Sequence, residues 1–138
     1  MAFGGGTDTV FKVKDSGGTL TDISAYLNTS ALNRTAGAYD VSTYGVGSKV
    51  YIPGLKDGRI PIGGPWDPTV DALLAGILAL TRDFEWHPQG TSAGKVKYSG
   101  AAPYGVILVS YQPSSPVDGA VTFTGEFQIT GPVTRGTN

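Results

Sequence analysis

The stretch Asp67–Arg82, D-P-T-V-D-A-L-L-A-G-I-L-A-L-T-R, contains the strongest helix pattern in the chain. Asp67 suits the N-cap because its carboxylate can accept hydrogen bonds from the free amides of the first turn. Pro68 then occupies the first helical position, where a missing N–H costs nothing. Apolar side chains follow at the spacing of one buried helix face: Val70, Leu73, Leu74, Ile77 and Leu78. The pattern predicts a single amphipathic helix over residues 67–82.

The opposite face of this helix consists of small, uncharged residues: Ala72, Ala75, Gly76 and Ala79. A helix on the surface of a monomer normally carries charged side chains there. Two interpretations remain open, because the face can pack against another subunit or be covered by loops of its own chain.

Composition restricts the classes of function. The 138 residues correspond to one domain, and 21 glycines and 9 prolines indicate many turns. A net charge of −1 leaves no basic footprint for holding nucleic acid. The chain lacks cysteine, a long apolar run and a signal-peptide pattern, so we expect folding in a reducing cytosol, without disulfides or membrane insertion.

Outside the helix, alternating apolar and polar residues predict about seven or eight strands. The clearest alternation runs from Ala120 to Thr130, and the segment Val106–Val109 is apolar on both faces. Strands with one helix among them predict a mainly β fold, an antiparallel sandwich or barrel with one flanking α-helix. We predict a single domain over 1–138, with flexible arms at 1–9 and 131–138.

Residues 45–58 contain several turn signals and are interpreted as a loop. The loop is unusually apolar, and its interface candidates are Val46, Val50, Tyr51, Ile52 and Leu55. Loops of this length are usually functional or flexible. Pro61, just beyond, suggests an edge strand.

The residues give little support to an enzyme. His87 is the only histidine, and Asp83, Glu85 and His87 share one strand face, which indicates a charged surface. We therefore predict no catalytic, cofactor-binding or metal-binding residue, and no cofactor. A carbohydrate- or receptor-binding sandwich remains an alternative, with Trp66 and Tyr51 as its candidate aromatic platform.

The long predicted strands have few of the lysines and prolines that normally protect sheet edges. Ala120–Thr130, for example, contains neither. Together with the apolar loop and the small-residue helix face, this indicates a subunit whose edges are covered by copies of itself.

Several segments, in order and spacing, resemble the major tail tube proteins of long-tailed bacteriophages. The resemblance covers residues 20–136. It rests on Thr21-Asp22-Ile23-Ser24, Arg34, Asp40-Val41-Ser42-Thr43-Tyr44-Gly45, Ile52-Pro53-Gly54-Leu55-Lys56-Asp57-Gly58, Gly63-Gly64, Trp66-Asp67, Pro88, Gly90, Gly94, Tyr98 and the segment Asp118 to Gly131.

The resemblance implies hexameric rings that stack into a hollow tube, the conduit for genome delivery. Residues 45–58 correspond by position to the inter-ring loop of the family. Implied partners are the tape measure protein, the tail terminator, the tail tip or baseplate proteins, and double-stranded DNA in transit without specific binding. The implied location is the virion, after synthesis in the bacterial host cytoplasm. A tube subunit of a cellular injection machine or tailocin is an alternative with the same fold.

A DNA conduit needs a wall that does not hold DNA, which means a neutral or acidic polar surface. One face of the last long strand has this character: Thr122, Thr124, Glu126, Gln128 and Thr130. These residues are candidates for lining the lumen. An ordinary outer surface would show the same pattern, so both interpretations stay open.

Overall fold

The computed structural model describes residues 5–138 and contains two β-sheets packed face to face, with one helix beside them. The strands, in chain order, are β1 (Val10–Lys14), β2 (Leu20–Asp22), β3 (Thr29–Ser30), β4 (Asn33–Asp40), β5 (Tyr51–Pro65), β6 (Thr81–Arg82), β7 (Phe84–His87), β8 (Val96–Gly100), β9 (Gly105–Ser114), β10 (Thr122–Thr130) and β11 (Thr134–Thr137). The helix α1 spans Pro68–Ile77, and single 3₁₀ turns lie at Gly6–Asp8 and Ser24–Tyr26.

Sheet 1 has the strand order β11-β8-β7-β1-β2, and sheet 2 has the order β3-β5-β10-β9-β6. β4 pairs with the first half of β5, so it also belongs to sheet 2. All these strand pairs are antiparallel. The predicted antiparallel sandwich with one flanking helix is confirmed, and the two sheets remain open rather than closing into a barrel.

The core fills the space between the sheets and under the helix. It follows from the period-two alternation of the strands, which sends every second side chain inward. The buried apolar residues are Phe11, Val13, Ile23, Ile60, Ile62, Val70, Leu74, Ile77, Phe84, Val106, Leu108, Phe123, Phe127 and Ile129. The rings of Phe11 and Phe127 lie 5.6 Å apart and join the two sheets.

The helix begins as predicted and ends earlier. Asp67 accepts a hydrogen bond from the Thr69 amide at 2.8 Å, and Pro68 follows at the first position. The predicted end at Arg82 is wrong, because α1 stops at Ile77 and residues 81–82 form β6. Ala79 has a φ of 65° and donates its amide hydrogen to the Leu108 carbonyl at 3.0 Å, so the chain joins sheet 2 there.

The interpretation of residues 45–58 as a loop is partly wrong. From Tyr51 onward they belong to β5, which forms a long hairpin with β4. The glycine at 54 reflects close strand contact rather than a turn, because a Cβ there would lie 2.8 Å from the Tyr39 ring. Pro61 is not on an edge strand either, since β5 has β10 on one side and β3 on the other.

The predicted arms are only partly within the described residues. Residues 1–4 lie outside them, and Gly6–Asp8 form a 3₁₀ turn. In the segment 131–138, β11 pairs with β8 at the border of sheet 1. That residues 131–138 act as a flexible arm stays a prediction.

Candidate functional site

The β4–β5 hairpin projects beyond the sandwich. Of β5, β10 pairs with the second half, Arg59–Pro65. Within residues 5–138, β4 is therefore the only strand that pairs with residues 51–58. All five interface candidates of this region are exposed: Val46, Val50, Tyr51, Ile52 and Leu55. Several exposed apolar side chains grouped on one hairpin indicate an interaction site.

The hairpin tip, residues 41–50, is held by its own hydrogen bonds. The Val41 amide donates to the Val50 carbonyl at 2.8 Å, and the Val50 amide donates to the Ser42 hydroxyl at 2.7 Å. The Ser42 amide donates to the Asp40 carboxylate at 2.9 Å, and this bond holds the pKa of that carboxyl below its ordinary value. The backbone that carries the exposed apolar side chains of the tip is therefore ordered by hydrogen bonds.

A polar network fixes α1 against sheet 2. The Tyr111 hydroxyl on β9 donates to the Asp71 carboxylate at 2.7 Å, and the Trp66 indole donates to the same oxygen at 3.3 Å. Burial, followed by the hydrogen bond to Asp71, raises the pKa of Tyr111 to about 12. The network joins the end of β5, the helix and β9, and thereby sets which helix face is turned outward.

The small-residue face of the helix is the one turned outward. The four candidates are all exposed: Ala72, Ala75, Gly76 and Ala79. Of the two sequence interpretations, cover by the chain's own loops is seen in part, because Ser16 of the turn between β1 and β2 lies beside Gly76, where an added Cβ would be 3.4 Å from its hydroxyl oxygen. A flat face without long side chains allows another chain to approach closely, and a partner on it stays a prediction.

The polar face of β10 is the outer face of sheet 2. Thr122 and Thr124 are exposed, while Glu126, Gln128 and Thr130 are half-buried. On β9, the polar residues Ser114, Gln112 and Ser110 stand opposite Thr122, Thr124 and Glu126, whereas Ile107 stands opposite Gln128.

Glu126, the charged residue among these five, is paired with a cation. Arg59 forms an ion pair with Glu126 at 3.2 Å, and the Gln128 amide donates to the Asp57 carboxylate at 2.6 Å. The surface is therefore polar but offers no excess of cations to phosphates.

Sheet 2 has an open edge on each side. Within residues 5–138, β4 pairs only with β5, and no strand pairs with the far edge of β9 beyond Leu108. Residues 109–114 therefore present unpaired backbone donors and acceptors, which can take up a strand from another chain.

The prediction that His87 lies on a charged surface is wrong. Its side chain is 1% exposed, and Nε2 lies 3.0 Å from the Glu85 carboxylate. β1 runs beside β7 and pairs Val10 with His87, an arrangement that the local pattern of residues 83–87 does not encode. His87 is thus buried, and its pairing with Val10 places it on the face of sheet 1 that Lys12 and Glu85 share rather than on the core face.

The aromatic platform proposed for carbohydrate binding does not form. Tyr51 begins β5 and Trp66 follows its last residue, so the two rings lie at opposite ends of a 15-residue strand. Trp66 is half-buried and uses its indole N–H to bind Asp71. The structure therefore gives no support to this alternative.

Two fully exposed apolar side chains were missed by the sequence reasoning: Tyr44 at the hairpin tip and Val117 in the turn between β9 and β10. Each has a detectable signal, an apolar residue placed among turn-forming neighbours. The turns are Thr43-Tyr44-Gly45 and Pro116-Val117-Asp118.

Over residues 5–138, no three His, Cys, Asp or Glu side chains are grouped as they would be around a metal ion. In the same region, no helix has the length and apolar character needed to cross a membrane.

Comparison with known proteins identifies the fold. No family model and no curated protein matches the sequence. Among solved structures, a gene transfer agent (GTA) particle matches in two forms. These are the native virion (TM-score 0.79, 15% identity, 98% of this chain and 100% of that chain) and the tail of the empty particle with C6 symmetry (TM-score 0.76, 14% identity, the same coverage).

Two further matches cover 99% of this chain. The SPP1 tail tube has a TM-score of 0.69, 15% identity and 80% coverage of that chain. A chain in the six-fold symmetrised baseplate of the anti-feeding prophage has a TM-score of 0.69, 10% identity and 98% coverage. These likenesses establish that the chain has the tail-tube fold over nearly its whole length, and the expected fold is confirmed.

Proposed function

We propose that this chain is a structural subunit that self-assembles into rings, which stack into the hollow tube of a phage tail. The observation that carries the proposal is the exposed apolar β4–β5 hairpin on a fold shared with tail tubes. An isolated copy leaves this surface in water, at a cost of about 25 cal/mol for each Å². Contact with another copy removes that cost.

The open edges of sheet 2 support closure of the ring. The free edge of β9 and the free edge of β4 lie on opposite sides of the same sheet, so one copy can extend the sheet of the next. A contact between two different surfaces of identical subunits closes a ring when the rotation allows it. The GTA tail has C6 symmetry, and we propose six subunits here as well.

The polar face of β10 is proposed as the wall of the lumen. With Arg59 paired to Glu126, the face has no surplus positive charge that would hold DNA in transit. Double-stranded DNA and the tape measure protein are the proposed contents of the tube. The tail terminator and the tip or baseplate proteins are its proposed end partners, and the virion is its proposed location.

The hairpin is proposed to bridge successive rings. Its residues 51–58 lie beyond the part of β5 that pairs with β10. The arms at 1–9 and 131–138 are proposed to add further contacts between rings.

A second candidate is the tube of an injection machine. The likeness to a chain of the anti-feeding prophage baseplate favours it, because that match also covers nearly the whole chain. The two candidates share self-assembly and differ in the tube's content. Nuclease-protected DNA in purified native particles indicates the phage tail, whereas particles without it indicate the injection machine.

Electron microscopy and light scattering of the purified chain test the proposal. We expect tubes with a constant diameter and a regular axial repeat, and a dependence of particle mass on concentration. Monomers at every concentration and salt condition would overturn the proposal.

A further inference from the structure

The two ends of sheet 2 complement each other in charge and exposed apolar surface. The hairpin tip, residues 41–50, precedes the first residue of β5. The β9–β10 turn, residues 115–121, lies near the last residue of β5, because Thr122 pairs with Pro65 and the Trp66 amide donates to the Val121 carbonyl. The 15 residues of β5 thus separate the tip from the turn by about 50 Å.

Each end carries a fully exposed apolar side chain. Tyr44 on the tip and Val117 in the turn have relative exposures of 107% and 102%, the highest among the exposed large hydrophobic residues. Val46 and Val50 accompany Tyr44, and Val121 accompanies Val117.

The charges at the two ends are opposite. Lys49 lies on the tip and Asp118 in the turn, and both side chains are exposed. Neither forms an ion pair with another residue in the described part of the chain. Joining the tip of one copy to the turn of another therefore places a cation beside an anion and covers apolar side chains on both.

From these features we propose that the β9–β10 turn receives the hairpin tip of a second copy in the next ring, with Lys49 of one copy pairing with Asp118 of the other. This inference rests on the proposed function and names the surface that the hairpin contacts. The two surfaces differ and lie at opposite ends of sheet 2. Each added copy therefore leaves a free tip or a free turn for the next copy, and contacts of this kind generate filaments. The turn thereby defines the receiving end of each ring.

Charge exchange tests the pairing. Lys49→Glu and Asp118→Lys each place like charges in contact at every repeat, which is strongly unfavourable. We expect each single variant to raise the critical concentration for tube formation by about tenfold or more. The double variant restores the opposite charges and should return this concentration to near the wild-type value.

A matched control uses another exposed lysine of the hairpin. Lys56 lies in β5, away from the tip, so Lys56→Glu combined with Asp118→Lys should not restore assembly. Circular dichroism verifies that all variants fold, which is expected because the exchanged side chains are exposed.

Two results overturn the inference while leaving the proposed function intact. One is normal assembly of both single variants. The other is equal rescue by the Lys56 and Lys49 combinations. If the wild-type chain itself forms no tubes, the proposed function fails, and this inference fails with it.

Discussion

At the scale of single residues, the helix position depends on the carboxylate of Asp71. It accepts hydrogen bonds from Tyr111 and Trp66, which belong to different segments of the chain. These two hydrogen bonds could not be predicted from the sequence, because no local signal links residues 71 and 111. The hydrogen bonds show that the same carboxylate also ties α1 to β9.

We expect Tyr111→Phe to lower the free energy of unfolding by about 1 kcal/mol at pH 7, because one donor to a carboxylate is lost. The pKa of Tyr111 is raised from 10.0 to about 12 in the folded chain. Its stabilising contribution is therefore complete below pH 10 and disappears as the pH rises through 12. Urea unfolding at about pH 8 and about pH 11 measures this dependence. If the free energies of unfolding of the wild type and the variant differ by the same amount at both pH values, the predicted pH dependence is contradicted.

The backbone at Gly64 leaves no room for a side chain. A Cβ there would overlap with the Tyr26 carbonyl oxygen, a group of the backbone that cannot move aside cheaply. We expect Gly64→Ala to lower the free energy of unfolding by about 2 kcal/mol, the usual cost of overpacking.

Gly47 provides the matched control for this substitution, because a Cβ added at that position would meet no neighbouring group within 4 Å. Gly47→Ala should leave the unfolding midpoint in urea almost unchanged. Equal effects of the two substitutions would show that backbone entropy, rather than the contact with Tyr26, determines the cost.

At the scale of elements, the start of the helix could be predicted and its end could not. Asp67 and Pro68 are local signals, and both act as expected. The apolar spacing continues through Leu78, but the Ala79 amide binds the Leu108 carbonyl of a distant strand. The periodicity of apolar residues reports only on neighbours along the chain, so it could not predict that this distant contact ends the helix.

The hairpin shows the same limit on sequence reasoning. Gly54 and Gly58 suggest turns, yet both lie in β5, where neighbouring groups come too close for a side chain. A Cβ at Gly58 would lie 2.9 Å from the Asn33 carbonyl oxygen. The apolar residues of this segment were identified from the sequence, whereas their arrangement on a paired strand required the fold.

For the hairpin, we expect Ile52→Asp to leave the monomer folded and to block polymerisation. Ile52 is exposed, so the carboxylate stays in water in the monomer, but it would have to be desolvated between rings. Circular dichroism and electron microscopy measure folding and assembly, and Ile52→Val is the apolar control. Tubes of wild-type length from the Ile52→Asp variant would refute the role of the hairpin.

For the helix, we expect Ala75→Glu to preserve folding and to prevent ring formation. Glutamate is a good helix former, and Ala75 is exposed, so the monomer tolerates the change. Its long charged side chain would hold a neighbouring subunit away from the small-residue face. Sedimentation velocity should show monomers for this variant and rings or tubes for Ala75→Ser. Normal assembly of both would indicate that this face remains in water.

At the scale of the whole molecule, the chain buries an apolar core but leaves apolar side chains and strand edges exposed at its surface. The interior is closely packed around Phe11 and Phe127, while the hairpin, the far edge of β9 and the helix residues Ala72 and Ala75 are exposed. Sequence reasoning could predict this exposure from the types of residue involved. It could not predict that the free edges of β4 and β9 lie on opposite sides of sheet 2, since that depends on the strand order.

Helical reconstruction of the assembled protein by electron cryomicroscopy is the decisive measurement, because it locates both the lumen wall and the contact between rings. We expect stacked rings in which Thr124 faces the lumen and Ile52 is buried against the adjacent ring. A tube in which Thr124 faces outward, or one in which the hairpin residues 41–55 remain in solvent, would contradict the proposed assembly.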